Sequence, residues 1–242
     1  MKEELTILIP GQLYVIQNPD FFKLGCDSVF LANFTEVRKG STVVDFGTGS
    51  GVIPLLLAFK QEPGKVIGLE IQEKMAEMAR RSVELNGLAD KIEIIQGDFS
   101  RASEIFEAES IDLVVTNPPY MPVGDGKISQ GLEKAIARHE IYGTLEDLIR
   151  EASIILKKGG RLTMVDKVNR FSEIIYLMKE YKLEPKRIRL IQSRLRLAPK
   201  TFLIEARKGS RPGLAFEPTL MVYEEDREEY TREVKEIYGD GF

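Results

Sequence analysis

Thr42-Val43-Val44-Asp45-Phe46-Gly47-Thr48-Gly49-Ser50-Gly51-Val52 is a β-branched run, a glycine-rich turn and the first residue of a helix that continues through Leu55-Leu56-Leu57-Ala58. A strand that turns on glycines directly into a helix is the opening unit of a parallel α/β sheet. Its glycines let the backbone turn tightly and let a ligand approach the peptide N–H groups. The spacing is Gly-x-Gly-x-Gly, with Asp45 two residues ahead of Gly47. A dinucleotide loop would read Gly-x-Gly-x-x-Gly and seat a pyrophosphate. An acid at the strand's end repels phosphate and attracts a cation.

Downstream, strand and helix patterns alternate. Lys65-Val66-Ile67-Gly68-Leu69-Glu70 ends in an acid about twenty residues after the glycine loop, the position from which a carboxylate grips ribose hydroxyls. Ile71, Met75, Met78, Ser82 and Leu85 then share a helix face that Asn86-Gly87 closes. Ile92 to Gly97 forms the next strand and leads into Asp98-Phe99, an acceptor for an adenine amine beside an aromatic ring. Ile111-Asp112-Leu113-Val114-Val115-Thr116 delivers Asn117-Pro118-Pro119-Tyr120 to a strand's carboxyl end, where open α/β sheets bind ligands. The prolines stiffen the backbone and cannot donate. An Asn oxygen, a proline carbonyl and a Tyr ring together make a mould for a planar group bearing an NH2.

A long connection over 121–143 follows, holding Gly124-Asp125-Gly126, Lys127, Lys134, Arg138 and His139; loops of this length are commonly functional. Thr144-Leu145-Glu146-Asp147 predicts a capping box, its helix closing at Lys157-Lys158-Gly159-Gly160. Arg161 to Asp166 predicts a strand, and Phe171, Ile174, Ile175, Met178 and Tyr181 mark another amphipathic helix. Alternation of this kind implies right-handed crossovers and a mostly parallel sheet. Arg187–Ile191 and Thr201–Ala206 are separated by no helix, so the last strand is expected to run antiparallel.

Ahead of the glycine loop, Ile7-Leu8-Ile9 and Leu13-Tyr14-Val15-Ile16 flank Pro10-Gly11, the pattern of a small hairpin. A lid segment follows, with Asp27 or Ser28 expected to cap the helix beginning at Val29. The 242 residues are 43% hydrophobic and 30% charged, ordinary for a globular protein. No apolar run has bilayer length, and Met1-Lys2-Glu3-Glu4 is no signal peptide, so a cytoplasmic location is expected. One Cys and one His leave too few ligands for a structural zinc, and no metal is expected. The net charge of −4 argues against a surface that coats nucleic acid throughout, yet Lys186, Arg187, Arg189, Arg194, Arg196 and Lys200 form a local basic stripe.

Taken in order, Asp45 to Gly51, Glu70, Asp98-Phe99 and Asn117 to Tyr120 resemble the class I S-adenosylmethionine-dependent methyltransferases, and Asn-Pro-Pro-Tyr is similar to their amino-methylating branch. Gln17-Asn18-Pro19-Asp20-Phe21-Phe22 with Asp27, Ala137-Arg138-His139-Glu140 and Glu233 to Tyr238 further resemble bacterial tRNA (adenine-N6)-methyltransferases acting beside the anticodon of valine tRNA. Leu24-Gly25-Cys26 departs from the aromatic and small polar residue expected there. The resemblance implies a Rossmann-like α/β fold with a mostly parallel seven-stranded sheet, an antiparallel last strand and the small amino-terminal hairpin. It implies one domain: hairpin and lid helix over 1–40, core over 41–208 and an extension over 209–242. S-adenosylmethionine would lie on Asp45, Gly47, Thr48, Gly49, Gly51, Glu70, Ile71, Asp98, Phe99 and Asn117. Asn117, Pro118, Pro119 and Tyr120 would form the reaction centre, and Arg138, Arg187, Arg189, Arg194, Arg196 and Lys200 would meet tRNA. Besides amino-methylation of another RNA or DNA, two functions of different kinds use the same sequence. A glutamine methyltransferase of a release factor shares the four-residue motif, but that class carries a helical amino-terminal domain, and here only about 40 residues precede the cofactor strand. A non-enzymatic RNA-binding module is opposed by the intact Asp45, Glu70 and Asn117.

Overall fold

The computed structural model describes residues 3–18, 25–118 and 143–239. Pro119, Tyr120, Lys127, Lys134, Arg138 and His139 lie outside the described residues.

The hairpin comprises β1 (Glu4–Ile9) and β2 (Leu13–Gln17), paired antiparallel, with Gly11 at a positive φ in the turn. Helix α1 (Cys26–Phe34) precedes the central strand β3 (Thr42–Phe46). It begins three residues earlier than the apolar pattern suggests, capped by Gly25, so Asp27 and Ser28 sit within its first turn. Then come α2 (Val52–Lys60), β4 (Lys65–Glu70), α3 (Glu73–Leu85), β5 (Ile92–Gln96), the short α4 (Ala102–Ile105) and β6 (Ile111–Thr116). The second half holds α5 (Leu145–Ile155), β7 (Leu156–Lys167), α6 (Phe171–Glu180), β8 (Leu183–Gln192), β9 (Thr201–Lys208) and α7 (Arg232–Tyr238). The expected capping box opens α5: Thr144 Oγ1 accepts from the Asp147 N–H, and Asp147 Oδ2 accepts from the Thr144 N–H.

Seven long strands stand in the order β8-β9-β7-β6-β3-β4-β5, and β9 is antiparallel to both neighbours, as expected. Two dipeptide strands, β10 (Ala215–Phe216) and β11 (Leu220–Met221), extend the sheet by pairing with the outer side of β8. Two residues carry no periodic signal, so these escape a pattern-based reading. Apolar cores cover both sheet faces. Val43, Leu113 and Val115 face α1, α2, α3 and the hairpin, whereas Val44 and Val114 face α5 and α6. Burial on both faces explains why these strands read as unbroken apolar runs.

The hairpin docks on α3 through polar contacts. Asn86 Oδ1 accepts from the Tyr14 N–H, Asn86 Nδ2 donates to the Tyr14 carbonyl, and Ser82 Oγ accepts from the Ile16 N–H. Leu85, expected on the buried face of α3, is 53% exposed at the helix's last turn. Strand β7 starts directly after α5, five residues before the expected Arg161. No helix among the described residues is long and apolar enough to cross a membrane.

Candidate active site

The parallel strands β3, β4, β5 and β6 deliver their carboxyl ends to one edge of the sheet. Phe46 stands opposite Leu69 on one side and Thr116 on the other, and Glu70 stands opposite Gln96. Residues just beyond these positions therefore emerge at one level: the glycine loop after β3, Glu70 on β4, Asp98 after β5 and Asn117 after β6. The chain runs outward through β4 and β5 and then returns to the other side of β3 with β6, so a topological switch point lies between β3 and β6. Thr116 Oγ1 donates to the Phe46 carbonyl at 2.9 Å and ties the two strand ends together there.

Gly47, Gly49 and Gly51 all have positive φ, which side-chain-bearing residues rarely adopt. Gly51 also abuts α3, where a Cβ would lie 3.4 Å from that of Ala79. Glu70 holds the loop to β4. One carboxylate oxygen accepts from the Gly49 N–H and the other from the Gln72 N–H, both at 2.9 Å. Each oxygen keeps a further lone pair that can accept from a diol.

Asp45 is fully buried, and neither of its carboxylate oxygens has a hydrogen-bond partner among the described residues; the buried Thr48 hydroxyl beside it is unpartnered too. Burial pushes the Asp45 carboxyl up to about 8, the nearby Thr48 hydroxyl opposes the shift, and the negative charge of Glu70 adds to it. An unpartnered buried acid is unfavourable unless something compensates it. A cationic group is the complement it lacks.

Across the switch point, Asn117 Nδ2 donates to Ser28 Oγ at 2.9 Å, while Asn117 Oδ1 is buried without a partner among the described residues. The amide is thus held by its nitrogen and leaves its oxygen available as an acceptor. Gln17, Ser28, Thr48, Ser50, Met75 and Asn117 line one cleft at this edge. In the sequence Gln17 stands only as the start of the Gln17–Phe22 resemblance, Met75 as one residue of a helix face and Ser28 as a helix cap. Asp98 Oδ1 accepts from the Ser100 N–H at 2.8 Å and caps a short 3-10 turn. Phe99 is buried and stacks on Phe46, ring centroids 5.8 Å apart, so it forms the floor of this region within the core. Ile71 follows Glu70 and is half-buried.

The basic stripe divides. Arg187 lies within β8, donates to the Phe34 carbonyl, pairs with Glu36 and stacks over the Phe34 ring. Arg189 donates to the Pro218 carbonyl and pairs with Glu233. Arg194 donates to the carbonyls of Glu224, Glu225 and Arg227, fastening the carboxyl-terminal segment. All three have internal acceptors, which leaves them less free to meet an outside phosphate. The Arg196 side chain is 89% exposed and, among the described residues, pairs only with Glu225, and Lys200 is exposed. Both stand in the connection after β8, which runs in the same direction as β7 and β6, so they are at the same edge as Glu70 and Asn117. Among the described residues no cluster of His, Cys, Asp or Glu is placed to hold a metal.

A family model described as a methyltransferase domain matches residues 37–202, the span from just before β3 into β9. A tRNA1(Val) (adenine(37)-N6)-methyltransferase of Bacteroides thetaiotaomicron is 28% identical over 89% of this chain and 88% of its own. One from Flavobacterium psychrophilum is 27% identical over 92% and 93%. Among solved structures, a predicted O-methyltransferase from Agrobacterium tumefaciens superposes with a TM-score of 0.71 at 27% identity, covering 88% of this chain and 95% of that one.

Proposed function

Because the chain belongs to the methyltransferase-domain family and is an S-adenosylmethionine-dependent methyltransferase, we propose that its substrate is tRNA and its product N6-methyladenosine. The bacterial relatives named for that reaction support the reading. The observation that carries it is Asn117, its amide nitrogen engaged by Ser28 and its buried oxygen unpartnered.

The residues at the switch point fit the cofactor. Asp45 would meet its cationic amino acid end, the Ser50 peptide N–H its carboxylate, since those of Thr48, Gly49 and Gly51 donate within the fold, and Glu70 its ribose; Asp98 would accept from its adenine. When bound, the cofactor supplies an electrophilic methyl on a sulfonium. The exocyclic nitrogen of adenine is a poor nucleophile because its lone pair is delocalised into the ring. Asn117 Oδ1 accepts one of its two protons and the Pro118 carbonyl the other. Both acceptors favour a tetrahedral nitrogen with a localised lone pair and match the positive charge that develops on it. Tyr120 stacks on the base, and the departing proton passes to solvent. A hydroxyl substrate has no second proton for this pair of acceptors. The lid helix that supplies Ser28 and the carboxyl-terminal extension belong to the same domain. Arg196 and Lys200, beside the exposed Leu195 and Leu197, meet the RNA at the catalytic edge, with Arg138 added from the 121–143 connection.

Radiolabelled methyl transfer to total tRNA, followed by nucleoside analysis, tests the reading. N6-methyladenosine is the expected product. Label confined to a protein fraction, or to another nucleoside, overturns it.

A further inference from the structure

At the opposite edge of the sheet, β7 carries a bulge. Ile111 pairs with Leu156 and Leu113 with Arg161, so Asp112 on β6 stands opposite the whole of Lys157-Lys158-Gly159-Gly160. These four residues leave the ladder and line a cleft of about 140 Å³ together with Arg38, Asp112, Arg161 and Arg207. Bulges of this kind commonly re-aim side chains at functional places.

The cleft holds five cationic side chains and one acid. Asp112 is already engaged: its oxygens accept from Lys157 Nζ at 2.8 Å and from the Thr42 N–H at 2.9 Å. Arg161 is buried against Glu205 at 3.1 Å. The other three cations stand outside these pairs. The side chains of Arg38 and Lys158 make no hydrogen bond or direct ion pair among the described residues, and both are exposed; the Arg38 charge reaches Asp112 only as a longer-range attraction. Among the described residues the Arg207 guanidinium donates only from Nε, to the Gly159 carbonyl at 3.0 Å, which fixes its plane while its two terminal nitrogens keep their donors. The glycines keep the floor open. Gly159 has φ +79°, and a Cβ there would come 3.4 Å from Arg207 Nη2; one at Gly160 would come 2.9 Å from the Lys157 carbonyl oxygen.

We propose that this cleft is a phosphate-binding site and that its ligand is a phosphodiester of the substrate RNA. A planar, pre-oriented guanidinium flanked by two cations outside any ion pair is the donor set that takes a phosphate oxygen pair. Two of the three cations stand on an exposed rim, which suits a strand passing over the surface rather than an ion enclosed within it. The site lies about 15 Å from the catalytic edge, one strand length away, so it reads the body of the RNA and not the target base. The phosphate site stands on the cleft alone; assigning its phosphate to RNA rests on the tRNA reading above.

The test compares the parent with an Arg38→Gln/Lys158→Gln double variant, two exposed changes outside the core. Inorganic phosphate is titrated calorimetrically at constant ionic strength, and tRNA affinity is measured against salt. Phosphate affinity is expected to fall at least fivefold in the variant, and the log–log salt slope by about 0.7–0.9 for one phosphate no longer neutralised. S-adenosylmethionine affinity, measured in parallel, stays unchanged. Phosphate bound equally by both proteins, or by neither, overturns the site. A phosphate difference with an unchanged salt slope overturns the RNA assignment and makes free phosphate the ligand. A parent that binds no tRNA refutes the tRNA reading and the RNA assignment with it, while the phosphate titration still decides the site.

Discussion

Replacing Asp45 with Asn separates what the site needs from what the fold tolerates. Burial holds the Asp45 carboxyl up to about 8 against an ordinary 3.8, so the folded state binds a proton that the unfolded chain has released at neutral pH. A raised acid destabilises the native state progressively as pH climbs from about 4 toward 8, and it has no effect below that window. At 1.36 kcal/mol for each pH unit, the interval from 3.8 to pH 7 corresponds to about 4 kcal/mol. Asn removes that burden but buries two N–H donors at a cost of about 1–3 kcal/mol, independent of pH. Urea unfolding of parent and Asp45→Asn without cofactor, at pH 5, 6, 7 and 8, isolates the ionisation. The stability difference should move in the variant's favour by about 1.4 kcal/mol per pH unit, with other titrating groups cancelling between the two proteins. S-adenosylmethionine affinity should drop by about a hundredfold in the same variant, since a charged partner is removed. In the parent that affinity should rise about tenfold per pH unit from 5.5 to 7, as ionised Asp45 becomes accessible. A pH-independent stability difference would refute the claim that Asp45 folds protonated, and unchanged cofactor affinity would refute its role as the cation's partner.

Glu70→Ala removes two backbone hydrogen bonds and the diol acceptor together; calorimetry should show cofactor binding weaker by about 1.5–3 kcal/mol, and full retention excludes the ribose assignment. Asn117→Ala should lower kcat about a hundredfold or more with little change in cofactor affinity, and near-parental turnover to N6-methyladenosine would leave the amide as a mere turn residue. Ser28→Ala frees the Asn117 amide to rotate, so kcat should fall about tenfold while KM for tRNA holds, with Ser28→Thr restoring most of the rate; equal damage in both variants points instead to helix packing. Arg196→Gln/Lys200→Gln should flatten the salt dependence of tRNA binding by about 0.7–0.9 per phosphate released, whereas Arg189→Gln, whose side chain is mostly buried and held by Glu233 and the Pro218 carbonyl, should leave that slope alone.

The sheet was readable from local signals. β-Branched runs, glycines demanding positive φ and prolines that end a strand act within a few residues of themselves. They therefore place Asp45, Glu70, Asp98 and Asn117 at strand ends without any long-range knowledge. The Thr144–Asp147 box is local in the same sense. What the side chains at those ends touch is decided elsewhere. Ser28 meets Asn117 across 89 positions of chain, a meeting created by docking α1 over the switch point, and nothing in the helix pattern announces it. The basic stripe looked uniform because charge along a chain says nothing about partners. Glu36 reaches Arg187 from 151 positions away and Glu233 reaches Arg189 from 44, leaving Arg196 and Lys200 outward. Phe99 likewise stacks on Phe46, because the registers of β3 against β4 and of β4 against β5 together bring the segment after β5 over the end of β3. Lys157-Lys158-Gly159-Gly160 has the composition of a helix stop, yet the ladder between β6 and β7 makes it a bulge. Pairing register belongs to two strands at once, and only the assembled sheet sets it.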